Sequence, residues 1–308
     1  MNKISLIIPV HNEAENIKDL VNEINSVCFD KYIYEIIIID DGSTDNTKEI
    51  IKSLSPVKYI RLRRCFGQTA ALDAGIKHAK YEYIITLDGD GQNDPKDIPD
   101  LIEYLEKTDL DIVSGWRKKR KDSVIKKFIS RGANLLRSIL IHDGIHDSGC
   151  TLKIYKKECF DQVSLYGEMH RFIPAILKIK GFNIGEIEVN HRPRTKGKTN
   201  YNWRRTFKGF IDMISVWFWN KYAVKPLHLL GGMGLFSIFL GFITLSYTVY
   251  LYISIGKVGH TAWPVLSVFL LLVGILLFVL GLIADILSKN YYETTIDKSY
   301  SIKEIVEY

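Results

Sequence analysis

The sequence predicts an α/β domain built on a mostly parallel sheet, followed by two membrane-spanning helices. Three observations carry this. Apolar, β-branched runs alternate with helix-patterned segments over residues 1–202. Acidic residues gather where several of those runs stop. Beyond Lys225-Pro226 the composition turns almost wholly apolar in two long stretches.

The elements follow in order. Residues 1–9 read as a first strand, an apolar stretch too short for a signal peptide. Residues 34–39 form a near-continuous β-branched run, as expected of a strand buried on both faces. Residues 57–62 and 83–87 are similar, and 111–114 is a shorter candidate. Helical patterns lie between them at 15–27, 45–54, 69–79 and 95–106. Asp45 is placed as an N-cap, and Pro95 falls in a first helical turn. In such sheets ligands bind at the carboxyl ends of the strands.

Residues 227–255 and 263–287 each exceed the roughly 20 apolar residues that cross a bilayer. The short link 256–262 makes them a hairpin. Asp285 is near enough to the end of its span to reach the interface. Lys and Arg are dense before the first span and recur at Lys289, Lys298 and Lys303, which predicts a multi-pass protein of the cell membrane with both termini cytosolic. Four segments result: a cytosolic domain over 1–202, an amphipathic helix over 203–226, the hairpin over 227–288, and a cytosolic tail over 289–308. In the second, Trp203, Phe207, Phe210, Ile211, Ile214 and Trp217 recur at helical spacing. That stripe suits a helix lying in the membrane interface, although a core helix would show the same pattern.

The net charge of +6 is modest. It is compatible with nucleic acid, an anionic membrane surface or phosphorylated substrates. The basic run 117–121 has only Trp116 at its edge, without the interleaved aromatics that nucleic-acid binding needs, so no nucleic-acid partner is expected. Cys28, Cys65, Cys150 and Cys159 form no C-x-x-C pair and read as reduced, mostly buried thiols.

Three predicted strand ends carry the polar chemistry: Pro9-Val10-His11-Asn12-Glu13, then Asp40-Asp41-Gly42-Ser43-Thr44-Asp45, then Asp88-Gly89-Asp90-Gly91-Gln92. A single acidic turn is ordinary turn chemistry. Two of them on one sheet edge, the second with Asp88, Asp90 and Gln92 spaced to converge, point instead to a hard divalent cation such as Mg²⁺ or Mn²⁺. No G-x-G-x-x-G and no G-x-x-x-x-G-K-[ST] occurs, so dinucleotide and P-loop readings lack their motif.

These segments resemble the family 2 glycosyltransferases of the glycosyltransferase A fold, and within them the polyisoprenyl-phosphate glycosyltransferases. The likeness rests on the three strand ends and on Ser114-Gly115-Trp116-Arg117, Ser130-Arg131-Gly132-Ala133-Asn134, Asp147-Ser148-Gly149-Cys150, His170-Arg171-Phe172-Ile173-Pro174 and His191-Arg192-Pro193-Arg194 leading to Gly197-Lys198-Thr199. The resemblance implies that Pro9, His11, Glu13 and Asp41 line the nucleotide pocket with Asp40 in support. Asp88, Asp90 and Gln92 would hold the metal on the donor diphosphate, with Gly89 in the same turn. Arg117 and Arg131 match arginines that bind the acceptor phosphate. Asp147 matches an aspartate near the reacting centre, either a base or a group that orients the acceptor or the arginines. Arg192, Arg194, Lys196 and Lys198 resemble a loop that closes over the donor phosphates. That loop departs from the usual G-x-S-K pattern, because Asn200 stands where a Lys is common.

The reading that results is an inverting transferase, moving one sugar from a UDP- or GDP-sugar to a polyisoprenyl phosphate at the cytosolic leaflet. Association into a homo-oligomer is implied by resemblance alone. A processive polysaccharide synthase would carry Q-x-x-R-W and usually more spans; residues 168–172 read Glu-Met-His-Arg-Phe instead. A catalytically silent scaffold would have lost metal ligands that are all present here. The identity of the sugar is not legible.

Overall fold

The computed structural model describes residues 1–118, 144–161, 163, 165, 167, 169–193, 214, 217–218, 221–222, 225–256 and 262–294. The chain divides into two compact units, one built on a sheet and one on two long helices.

In the first unit the strands are β1 (Lys3–Val10), β2 (Ile33–Asp40), β3 (Lys58–Arg61), β4 (Tyr83–Thr86), β5 (Ile112–Trp116), β6 (Lys153–Lys156) and β7 (Ile184–Glu188). The helices are α1 (Ile17–Cys28), α2 (Thr47–Lys52), α3 (Gln68–Lys77), α4 (Ile98–Lys107) and α5 (Ile173–Ile179). The sheet order is β3-β2-β1-β4-β6-β5-β7. Only β6 runs against its neighbours; the remaining pairs are parallel. The expected helices and strands appear within a few residues of their predicted ends. β6, β7 and α5 were not read from the sequence.

Residue parity explains the burial. Leu6 and Ile8 of β1 and Ile36 and Ile38 of β2 face one layer, with Leu20, Val21 and Ile24 of α1 and Leu101 and Leu105 of α4. Ile7, Ile37 and Ile39 face the other, with Leu72 and Ile76 of α3 and Leu177 of α5. Both faces of the central strands are therefore covered, as their unbroken Ile runs require. Each fully buried side chain of this type contributes roughly 2 kcal/mol.

Asp45 caps α2 as expected, one residue earlier than the formal cap: its Oδ1 accepts the Thr47 N–H at 3.0 Å. Pro95 opens a 3₁₀ turn that runs into α4, and Asp94 caps it through the Lys96 N–H at 3.0 Å.

Gly42, just beyond β2, has φ +70°, and a Cβ there would stand 2.6 Å from the backbone of Arg64 and Cys65. The left-handed conformation and the backbone neighbour both exclude a side chain. Gly42→Ala is expected to cost about 2 kcal/mol or more, since the left-handed region alone costs 1–2. It should also displace the 64–67 loop; a thermal melt with nucleotide titration checks both effects.

The second unit is a hairpin of α6 (Pro226–Ile255) and α7 (Trp263–Thr294), both long and apolar enough to cross a membrane. The helices meet at small residues: a Cβ on Gly234 would lie 2.7 Å from the Gly274 carbonyl oxygen, and Ser237 Oγ donates to the Leu270 carbonyl at 2.8 Å. Phe236, Phe239, Phe242, Phe269, Leu276 and Ile286 are exposed on the outside. An apolar surface of that extent suits lipid rather than water. Helix α7 runs seven residues past the end of the expected span, and Asp285 pairs with Lys289 one turn on at 2.8 Å. The interfacial helix expected over 203–226 lies mostly outside the described residues, as does the tail beyond residue 294.

Candidate active site

Three loops leave the same edge of the sheet. β1 pairs with β2 up to Val10 opposite Asp40, and with β4 up to Ile7 opposite Thr86, so the residues that follow each strand are neighbours.

Asn12 fastens the first two loops together. It adopts φ +58°, a conformation Asn tolerates. Its Oδ1 accepts the Thr44 N–H at 2.8 Å, and its own N–H donates to Ser43 Oγ at 2.9 Å. His11 lies 2.7 Å from the Asp41 carbonyl through Nδ1. A carbonyl only accepts, so Nδ1 carries the proton in this contact. Glu13 is half-buried and accepts from Asn16 Nδ2 at 2.7 Å.

Asp40 is fully buried. Its carboxylate accepts from the Ser43 N–H at 2.7 Å and Tyr59 OH at 2.7 Å, with Arg61 Nε at 3.4 Å. It therefore ties the turn after β2 to β3. Burial first, and then the Asp40 carboxylate, push the Tyr59 phenol above its ordinary range. Asp41 holds a loop: it accepts the Phe66 N–H at 2.7 Å, the Gly67 N–H at 2.9 Å and Cys65 Sγ at 3.2 Å. The sequence offers Asp41 as a lining group, and the structure shows that its carboxylate is already engaged by the 65–67 loop.

At the end of β4, a Cβ on Gly89 would lie 2.5 Å from Val10 Cγ1, which brings the acidic turn tight against β1. Asp88 Oδ1 accepts from Gln68 Nε2 at 2.7 Å, and Asp90 Oδ1 accepts the Gln92 N–H at 3.1 Å. Burial, followed by the charge of Asp90, pushes the Asp88 carboxyl up to about 6. Two carboxylates that resist being charged together fit a divalent cation, which would relieve the repulsion. Gln92 Nε2 donates to the Arg192 carbonyl at 3.5 Å, leaving its amide oxygen as the third donor. Among the described residues no cluster of three His, Cys, Asp or Glu side chains forms. A cation held here would have two carboxylates and an amide as protein donors, which would leave room for substrate oxygens.

On the other side of the site, Arg117 and Asp147 form a fork: Nε to Oδ2 at 2.7 Å and Nη2 to Oδ1 at 3.0 Å. Their side chains are 11% and 12% exposed, so the pair is largely shielded from water. Burial opposes the guanidinium charge, but the hydrogen bonds and charge of Asp147 outweigh it and raise the Arg117 pKa. Glu186 of β7 steadies the Asp147 loop by accepting the His146 N–H at 2.8 Å and the Asp147 N–H at 3.2 Å. His146 in turn stacks on Trp116 at 4.6 Å between centroids. Lys153 of β6, 2% exposed, lies between the two sides and feels the charges of Asp88, Arg117 and Asp147. Burial lowers its pKa.

Residues 5–164 match the model of glycosyl transferase family 2, and residues 225–289 match that of the GtrB C-terminal hairpin. The chain belongs to glycosyl transferase family 2. Among curated relatives of this glycosyltransferase is dodecaprenyl-phosphate galacturonate synthase of Rhizobium johnstonii, 36% identical over 99% of this chain and 93% of that one. Undecaprenyl-phosphate 4-deoxy-4-formamido-L-arabinose transferase of Salmonella choleraesuis is 29% identical over 99% and 94%. The fold is of the glycosyltransferase A type. A similar solved structure is glucosyl-3-phosphoglycerate synthase of Mycobacterium tuberculosis with Mn²⁺, uridine diphosphate and glucosyl-3-phosphoglycerate; its TM-score is 0.56, with 16% identity over 71% of this chain and 80% of that one. The same enzyme has been solved with Mg²⁺ and uridine diphosphate, with a TM-score of 0.56 and 15% identity.

The structure of the glycosyltransferase thus brings Asp88, Asp90, Gln92, Arg117 and Asp147 to one edge of one sheet. Arg131, Arg194 and Lys198 lie outside the described residues. Arg192 donates to Glu23 at 2.6 Å and to Asp94 at 2.7 Å, which ties the end of the described segment to α1 and to the turn before α4. Gln68, Thr151, Lys153 and Glu186 were not singled out from the sequence. For Lys153 a signal existed: a lysine inside the otherwise apolar strand run Leu152 to Tyr155.

Proposed function

We propose that this membrane glycosyltransferase moves one sugar from a nucleotide-sugar to a polyisoprenyl phosphate at the cytosolic leaflet, with inversion at the anomeric carbon. The observation that carries it is the arrangement of the acidic turn at Asp88 and Asp90 beside the shielded Arg117–Asp147 fork, in a chain that ends in an apolar hairpin. Similarity over almost the whole length to two polyprenyl-phosphate enzymes supports the same reading.

In this scheme His11 and Glu13 at the end of β1 face the nucleoside, while Asp40 and Asp41 hold the loops that shape its pocket. Asp88, Asp90 and the Gln92 amide oxygen would hold Mg²⁺ or Mn²⁺, which supplies charge neutralisation for the departing nucleoside diphosphate. Arg117 is assigned to the acceptor phosphate by resemblance; with Nε and Nη2 turned onto Asp147, the Nη1 edge of its permanently charged guanidinium is the part left to meet a phosphate oxygen. A phosphate monoester is already anionic near neutral pH and needs little help from a base. With both Asp147 oxygens committed to Arg117, an orienting role is favoured over proton abstraction. Arg131, Arg194 and Lys198 are assigned to the phosphates by resemblance.

The test is direct. Purified protein in detergent is given a short-chain polyisoprenyl phosphate, Mn²⁺ or Mg²⁺ and a panel of UDP- and GDP-sugars, and lipid-linked product is read by mass spectrometry. Product from one donor that disappears with chelator is the expected result. Nucleotide binding without transfer to any polyisoprenyl phosphate would overturn the acceptor assignment.

A further inference from the structure

The cleft inward of Asp88 encloses about 120 Å³ and is lined by Gln68, Asp88, Ser148, Thr151, Lys153 and His170, among others. It starts at the side chain assigned to the donor diphosphate, so the group that enters it is the one attached to that diphosphate, the transferred sugar. Gln68, Ser148 and Thr151 supply an amide and hydroxyls that exchange hydrogen bonds with sugar hydroxyls, and Asp88, His170 and Arg171 also line the cleft. Lys153 differs from all of these in its burial. Its side chain is buried to 2% exposure, yet among the described residues its ammonium donates one hydrogen bond, a long one, to the Ser148 carbonyl at 3.2 Å. An ammonium has three donors, and burying it without partners is costly. Neither Asp88 nor Asp147 is within ion-pair distance of it, although it feels both charges: Asp88 accepts from Gln68, and Asp147 is held by Arg117.

We infer that Lys153 selects an acidic donor sugar, its ammonium receiving the carboxylate of a uronic acid at the floor of the cleft. The inference rests on the proposed nucleotide-sugar reaction and names the substrate class within it. A buried ammonium set against a neutral hydroxyl recovers little of its lost hydration, whereas a carboxylate returns a charge-assisted hydrogen bond. The same residue then discriminates against neutral hexoses, because they leave it unpaired.

The experiment compares matched hexuronate and hexose donors, in both UDP and GDP forms, for binding by calorimetry and for transfer to lipid. Wild type is expected to bind the uronate about 30-fold tighter than the matching hexose, the range of a hydrogen bond to a charged group. Lys153→Met should erase that preference while leaving free UDP or GDP binding unchanged, and Lys153→Arg should keep most of it. Lys153→Gln, with a polar head of similar reach, guards against misfolding of the Met variant, and should also lose the preference. Equal binding of the two donors by wild type would overturn the inference. So would a Lys153→Met variant that weakens both donors alike, the sign of a purely structural charge, or one that raises only the KM for the lipid phosphate. A uronate preference that depends on Lys153, without transfer to any polyisoprenyl phosphate, would leave this inference standing and remove the acceptor assignment instead.

Discussion

Asp90→Ala is expected to lower transfer by about a thousandfold or more, with the protein still folded and its nucleoside pocket intact. The size follows from the several kcal/mol that cation stabilisation of a leaving group supplies, at 1.36 kcal/mol per factor of ten. Asp90 meets the rest of the turn through a single hydrogen bond from the Gln92 N–H, so its loss has few structural consequences. The electrostatic consequence is specific. Burial, and after it the charge of Asp90, raise the Asp88 carboxyl; removing Asp90 takes away the second of these and lowers Asp88 somewhat, while halving the acidic donors. Mn²⁺ affinity, read by paramagnetic relaxation of water, should therefore fall together with turnover.

In the wild type that affinity should also weaken as pH drops through about 6, because Asp88 takes up a proton that competes with the cation. In Asp90→Ala the residual pH dependence should move to lower pH. An unchanged Mn²⁺ affinity in the variant would place the cation elsewhere. Asp90→Asn separates charge from shape: it keeps an oxygen donor and should lose most of the activity through charge alone.

The architecture was legible in the sequence wherever one element met one physical rule. The Ile run of β2 had to be buried on both faces, and it is. The apolar lengths of α6 and α7 stood out against the charged segment before them. Asp88, Asp90 and Gln92 were legible because their spacing is local. What the sequence could not carry was partnership across the fold. That Asp41 spends its carboxylate on the backbone of residues 66 and 67 depends on Gly42 letting the loops approach. That Arg192 pairs with Glu23 and Asp94 depends on β7 leading the chain past α1. β6, antiparallel among parallel neighbours, has too short an apolar run to announce itself, and Lys153 arrives at the site with it. Asp147 and Arg117 are thirty positions apart, and only the fold makes them a pair.

That pair carries the second large expectation. Removing either member breaks a shielded ion pair, and breaking such a pair typically costs 3–5 kcal/mol. Asp147→Ala and Arg117→Ala should each destabilise the first unit strongly, while Arg117→Met combined with Asp147→Leu should recover much of the loss, since no charge remains without a partner. Recovery of stability must not recover activity, because the double variant has no guanidinium for the acceptor phosphate. The kinetic signature separates the two roles that resemblance left open for Asp147. If Asp147 orients Arg117, Asp147→Asn keeps the fork's shape, raises the KM for the lipid phosphate more than it lowers kcat, and has little further effect in an Arg117→Lys background. Non-additivity of that kind marks residues acting as one unit. If Asp147 removed a proton, Asp147→Asn would lower kcat at constant KM, flatten the acidic limb of the pH profile, and add in full to Arg117→Lys. Both Asp147 oxygens are turned onto one guanidinium, so the first pattern is the one expected.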